Sequence, residues 1–182
     1  MREFSDIERE LQLMKFTDSV NGTLYCAPVA PGAPRLIVRR FDGALPPSFV
    51  LAYARLVVDA AAWIAADHEL AKLVRIEQPT EIGCDYIARR HVNATSLDAF
   101  LETDEEEDPP EPPSELSRIQ TRFRELTTCT GTPREALLTT ILGRSILEPS
   151  QTTFYDPAAE QSVIADLRPT RGELERWNSV TV

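Results

Sequence analysis

Residues 144–169, RSILEPSQTTFYDPAAEQSVIADLRP, hold the arrangement in this chain best suited to chemistry. Thr152–Tyr155 and Ser162–Ala165 read as two short strands joined by a turn at Asp156-Pro157. Asp166 follows the second strand. A carboxylate just past a strand end is expected at the mouth of a cleft. The structural alternative is an acid that caps the strand end or the helix near Arg171–Trp177. Two arginine pairs, Arg39-Arg40 and Arg89-Arg90, are the cations of interest. Neighbours on a strand point to opposite faces, so one of each pair is expected at the surface and the other against a carboxylate. His68 and His91 stand alone, with no Cys or carboxylate pair at ligand spacing. No Ser/His/Asp or Cys/His set has a recognisable context.

The bulk numbers narrow the partners. The chain has 182 residues, room for one sizeable core or two small lobes. Hydrophobic residues make up 42% and charged ones 26%, the balance of a globular protein. The formal net charge of -10 argues against nucleic acid and anionic membrane surfaces, which both require a positive footprint. No apolar run is read as approaching the roughly 20 residues that cross a bilayer. The start, MREFSDIEREL, lacks the apolar core of a signal peptide. Cys26, Cys84 and Cys129 are far apart and odd in number, with neither metal nor disulfide spacing. The setting expected is reducing and cytoplasmic, and the partner expected is a protein.

The elements that must position these residues follow from periodicity. Phe4, Ile7, Leu11 and Met14 mark a short amphipathic helix over 3–13. Leu13–Thr17 and Leu24–Ala27 flank Val20-Asn21-Gly22, a hairpin signal. Arg35–Phe41 reads as a strand. Pro46-Pro47-Ser48 opens a helix that ends around Glu69–Ala71, with Phe49, Tyr53, Leu56, Val57, Ala60, Trp63 and Ile64 at steps of three and four. Phe49, Leu56, Trp63 and Ile64 are its expected core, and Trp63 the largest buried side chain of that half. Leu73–Gln78 and Cys84–Val92 read as two more strands around a turn near Pro79–Gly83, and Thr95-Ser96 caps a short helix, Leu97–Leu101. Residues 102–113, ETDEEEDPPEPP, have no apolar side chain and read as an extended linker loop. A basic partner or divalent cation is the alternative use of its acidic run. Ser114 caps a helix carrying Leu116, Ile119, Phe123 and Leu126. Thr132-Pro133-Arg134-Glu135 opens another that is expected to stop at Gly143. The expected class is α+β: a five-stranded antiparallel sheet with one packed helix over 1–101, the linker 102–113, and a mainly helical part with a short hairpin over 114–182.

Taken in order, these pieces resemble a protein kinase. Three strands, a packed helix and two strands leading to a hinge resemble the kinase small lobe. Thr95-Ser96-Leu97 with Phe100-Leu101 is similar to the post-hinge pattern, and RSILEPSQTTFYD with VIADLRP to the catalytic loop and the strand ending in the metal-binding aspartate. The resemblance implies roles for particular residues. Arg39 or Arg40 stands where the third-strand lysine belongs, as a phosphate contact. Asp59 or Glu69 takes the helix carboxylate. Gln151 replaces the asparagine metal ligand, and Asp166 is the metal aspartate, in Asp-Leu-Arg rather than Asp-Phe-Gly.

The departures point away from catalysis. Gly22 is the lone glycine of the first hairpin, so no glycine-rich loop covers a nucleotide. Arginine is not a simple stand-in for lysine. Arg144-Ser145-Ile146 aligns where His-Arg-Asp is expected, which puts Ile146 in place of the base, and Glu148 inverts the charge of a lysine. The implied protein is a pseudokinase-like binding or regulatory module with no cofactor; ATP and Mg²⁺ are not expected to bind. The competing expectation is an acidic α/β chaperone or adaptor, similar to the small secretion chaperones, that holds a client protein. An active phosphotransferase ranks third.

Overall fold

The computed structural model describes residues 1–19, 21–28, 35–43, 45–91, 114–128, 131–148, 153–156 and 158–180. In chain order the elements are α1 (Phe4–Leu11), β1 (Met14–Ser19), β2 (Gly22–Cys26), β3 (Arg35–Phe41), α2 (Pro47–Ala66), α3 (His68–Leu73), β4 (Val74–Ile76), β5 (Pro79–Ile82), β6 (Tyr86–His91), α4 (Ser114–Thr127), α5 (Pro133–Leu147), β7 (Thr153–Asp156), β8 (Gln161–Ile164) and α6 (Arg171–Ser179). The α+β class holds, with a five-stranded antiparallel sheet ordered β1-β2-β3-β6-β5.

Local chemistry sets the sheet. Ser19 pairs with Gly22, and Asn21 takes φ 64°, the left-handed conformation that asparagine tolerates in a tight hairpin. Gly22 cannot carry a side chain, because a Cβ there would lie 2.1 Å from the Arg40 carbonyl oxygen on β3. The sheet is covered on both faces. Phe4 and Ile7 of α1 pack on Val38, Tyr86 and Ala88. The opposite face carries Ile37, Phe41 and Ile87, which pack toward α2 and the C-terminal elements.

Four expectations change. The long helix is two helices. Asp67 is extended (φ -104°, ψ 114°), and its carboxylate accepts the Leu70 N–H at 2.8 Å, so a cap starts α3 where α2 ends. Val74–Ile76, expected in the large sheet, leaves it and pairs in parallel with β8, which pairs in turn with β7. The place it vacates goes to Pro79–Ile82, read from sequence as a turn; its proline sits on an edge strand, where the missing N–H costs no central ladder bond. Finally, α5 does not stop at Gly143 but continues to Leu147: that glycine is buried within the helix, which goes on to bury Ile146, and the cap position is Glu148. The short helix Leu97–Leu101 and the linker 102–113 lie outside the described residues.

One apolar cluster crosses the expected boundary at 102–113. It joins Phe41, Leu56, Ile64 and Ile87 to Ile119, Ile141, Leu167 and Trp177. Phe49, Leu56 and Ile64 are buried as expected. Trp63 is not: it is half-buried at the cluster's margin, its Nε1 donating to Glu135 Oε1 at 3.3 Å and its ring edge-on to Phe123. The fully buried tryptophan is Trp177 on α6, at 0% exposure. Contrary to the reading of apolar runs, α2 is long and apolar enough by length and composition to cross a bilayer. Its buried residues, Tyr53, Leu56, Val57 and Ala60 among them, make it the core helix.

Trp177→Ala should therefore destabilise the fold by about 3–5 kcal/mol, the range for emptying a buried tryptophan site. Trp63→Ala should cost clearly less, since that side chain keeps part of its surface in water. Urea denaturation of both variants ranks them, and the reverse order would mean that Trp63, not Trp177, is the buried tryptophan of the core.

A candidate site built on Asp166

Strand alternation puts Arg39 and Arg89 on the inward face of the sheet. Arg39 lies opposite Ile87 and Ile37 opposite Arg89, so both guanidiniums leave the same side of β3 and β6. Arg40 and Arg90, one residue on, are exposed. The buried arginines demand an anion, because an isolated charge in an apolar interior is far too costly. The chain supplies it just after β8, where Asp166 is placed between them with no exposed surface.

Both carboxylate oxygens of Asp166 are used. Oδ2 accepts from Arg39 Nη1, and from Ser19 Oγ at 2.7 Å. Oδ1 accepts from Tyr53 Oη at 2.5 Å and from Arg89 Nη2 at 3.4 Å. Arg89 also donates to the Ala165 carbonyl and to Tyr53 Oη, the latter at 2.9 Å. Tyr53 Oη in turn accepts the Leu167 N–H at 3.0 Å. The Tyr53 ring stacks under both cations, 4.7 Å from Arg39 Cζ and 5.4 Å from Arg89 Cζ. Burial pushes the Asp166 carboxyl upward, but the charges of Arg39 and Arg89 and the hydrogen bonds from Tyr53 and Arg39 outweigh it and hold the group below the usual carboxylate range. Burial likewise raises the Tyr53 phenol, which stays protonated and donates.

This geometry corrects the expectation for Asp166. It does not stand at the mouth of a cleft, and its oxygens point at arginine and tyrosine. A cation could reach them only by displacing a buried guanidinium. What the arrangement does chemically is to fix the segment 165–167 onto the sheet.

The other implied positions do not converge on it. Arg40 lies over the Phe4 ring at 4.8 Å, with its Nε 3.9 Å from Asp85. Asp59, on α2, accepts from Arg134 Nη2 at 2.5 Å. Glu69 is exposed on α3, 3.7 Å from Arg122. Gln151 lies outside the described residues. Arg144, Ser145 and Ile146 occupy the last turn of α5, where a catalytic loop was aligned. Ile146 is buried in the core, and Arg144 makes a two-pronged ion pair with Glu173 while also donating to the Arg168 carbonyl at 2.7 Å. Among the described residues no group of three or more His, Cys, Asp or Glu side chains could hold a metal ion.

Sequence reading missed Tyr53 and Ser19 as members of the network. A usable signal existed: arginine in the inward register of two central strands requires a buried acid, and Asp166 sits in the apolar run VIADL. A second feature had no signal beyond composition. Every exposed position of α2 from 51 to 65 falls at Leu51, Arg55, Val58, Ala62 and Ala65, and four of these five are apolar. Leu51 and Val58 are exposed to 41% and 47%, and Ile82 of β5 joins Val58 and Arg55 along a groove of ≈ 420 Å³. Comparison with protein-family models, with curated proteins and with solved structures yields no match.

The network has a pH signature. Because folding lowers the Asp166 pKa, its contribution to stability is complete above the unfolded value of about 3.9 and is lost as pH falls through the lower folded value. Asp166→Asn should weaken the fold near neutral pH by about 3–5 kcal/mol, leaving two buried arginines uncompensated. Tyr53→Phe should cost about 1–3 kcal/mol for the unsatisfied Leu167 N–H and carboxylate. Denaturation series across pH should show the gap between wild type and Asp166→Asn closing below about pH 4; a constant gap would mean the charge is not what stabilises.

Proposed function

We propose that this chain is a non-catalytic, kinase-like protein that works by binding another protein, with the outward face of α2 as the contact. The single observation that carries the non-catalytic part is the enclosure of Asp166. The one acid that the kinase resemblance offers for metal is spent on Arg39, Arg89, Tyr53 and Ser19. The order β3-α2-β5-β6, with the helix between the third and fourth strands of the sheet, supports the small-lobe part of the likeness. The helical state of 144–146 weighs against its catalytic-loop part. The contact surface is supported by the apolar, exposed row on α2, since solvated helix faces are ordinarily polar.

A second reading, a chaperone or adaptor that holds an unfolded client, draws support from the position of β5. It is an edge strand beside that same helix face, and an extended segment can add to a sheet edge.

Two measurements test the proposal. Incubation with labelled ATP, Mg²⁺ or Mn²⁺ and generic substrates should give no phosphorylation above background; transfer that vanishes in Asp166→Ala would overturn the non-catalytic reading. A photo-crosslinking residue at Val58 should capture protein, and one at Lys15, on the opposite edge strand, should not. Equal capture at both would remove the assignment to α2. Capture of unfolded peptides in preference to folded protein would favour the chaperone reading.

A further inference from the structure

Arg122 of α4 reaches Asp67, the residue that caps α3. Its Nε donates to Oδ1 at 3.2 Å and its Nη2 to Oδ2 at 2.6 Å, the two-pronged geometry of arginine and carboxylate. Its Nη1 donates to Glu125 Oε2 at 2.9 Å. Arg122 is therefore fully engaged, and it holds α4 against α3. Beside it lies a cavity of ≈ 260 Å³ lined by Glu69, Lys72 and Leu73 of α3 and by Arg118 and Arg122 of α4. A second hollow shares Glu69, Arg118 and Arg122 and adds Ser117, Thr121 and Glu125.

Lys72 and Arg118 differ from Arg122. Both are exposed, and neither side chain makes an ion pair or hydrogen bond with a described residue. The hydroxyls of Ser117 and Thr121 are equally free of partners among the described residues. The acids close by leave the two cations open. Asp67 and Glu125 are engaged by Arg122, and Glu69 is 74% exposed and reaches Arg122 only at 3.7 Å, so it can turn into water. A chain with 29 acids against 19 lysines and arginines repels a free anion on average, and a site for one has to be made of cations left uncompensated. We propose that Lys72 and Arg118 hold a phosphate group, with the Ser117 and Thr121 hydroxyls as further donors. The lysine supplies a point charge and the arginine a planar fork, the two complementary ways of holding phosphate oxygens. The Arg122–Asp67 pair fixes the spacing of the helices that carry them, so the donors are placed before the ligand arrives. The cavity is smaller than the roughly 300–1,000 Å³ of sites for drug-sized ligands, which suits one phosphoryl group and the first atoms of an ester arm, not a nucleotide. This site is independent of the reading of α2 as a contact surface.

The full chain tests this by NMR titration with inorganic phosphate at constant ionic strength. Amide signals around Lys72 and Arg118 should move and saturate. Lys72→Ala and Arg118→Ala should each weaken binding about tenfold, the loss of one charge-assisted bond. Their thermal melts in phosphate-free buffer should match the wild type, because both side chains are exposed and unpaired. Glu69→Gln should tighten binding, since it removes an acid from the lining. The site is overturned by a titration that does not saturate, by binding that both alanine variants leave intact, by equal displacement with chloride, or by weaker binding in Glu69→Gln. A phosphoserine peptide then distinguishes the source of the phosphate. Tighter binding than inorganic phosphate, removed by Lys72→Ala and Arg118→Ala, assigns the site to a phosphorylated protein segment. Binding no tighter than inorganic phosphate assigns it to a free phosphate or small phosphomonoester.

Discussion

Asp166 and the two arginines that enclose it are the constraint on which the rest of the structure turns. Arg39 and Arg89 lie on the inward face of the central strands, where water cannot solvate them. The sheet alone therefore cannot close its own core. It needs an acid from elsewhere, and that acid arrives more than seventy residues after β6, on the strand end that follows β8. A buried ion pair of this kind is weak evidence for stability, since apolar replacements often do as well. Its effect is on register. A segment one residue out of place would bury either an uncompensated carboxylate or two uncompensated cations.

Tyr53 makes the same point from the helix. Its ring fills the space between the guanidiniums, and its hydroxyl links Asp166 to the Leu167 backbone. So β3, β6, α2 and the segment 165–167 meet at one polar cluster inside an otherwise apolar core. The parallel ladder between β4 and β8 and the Arg144–Glu173 pair tie the same C-terminal elements down at other points. The consequence is a single core that runs across the acidic stretch 102–113 instead of two lobes that pack separately.

With its inner face committed in this way, α2 is left with an outer face whose composition the core does not explain. The inward residues are fixed by packing, yet the outward ones are leucine, valine and alanine as well, with Arg55 alone among them charged. A chain of net charge -10 does not lack polar residues to place there. Four of the five exposed positions of α2 between 51 and 65 are therefore apolar with no packing reason inside the molecule.

Much of the fold was legible because it is local. Asn21-Gly22 specifies the hairpin through backbone conformation, Thr132-Pro133-Arg134-Glu135 the start of α5, and the apolar steps from Phe49 to Ile64 the helix α2. The alternation of Arg39 with Arg40 and of Arg89 with Arg90 required one of each pair to turn inward, and the structure assigns that place to Arg39 and Arg89. Long-range placement was not legible. Whether Val74–Ile76 joined the large sheet or a second one depended on β8, some ninety residues away, and nothing in those three residues encodes that choice. Gly143 looked like a helix stop, yet it is buried inside α5, a placement that only the packing of that helix reveals. Trp63 read as the core tryptophan; the tertiary structure gives full burial to Trp177 instead. Asp166 drew notice in the sequence as a metal ligand, but its chemistry is decided by what surrounds it. A carboxylate in water can hold a metal, whereas one between two buried guanidiniums and a phenol holds the fold together.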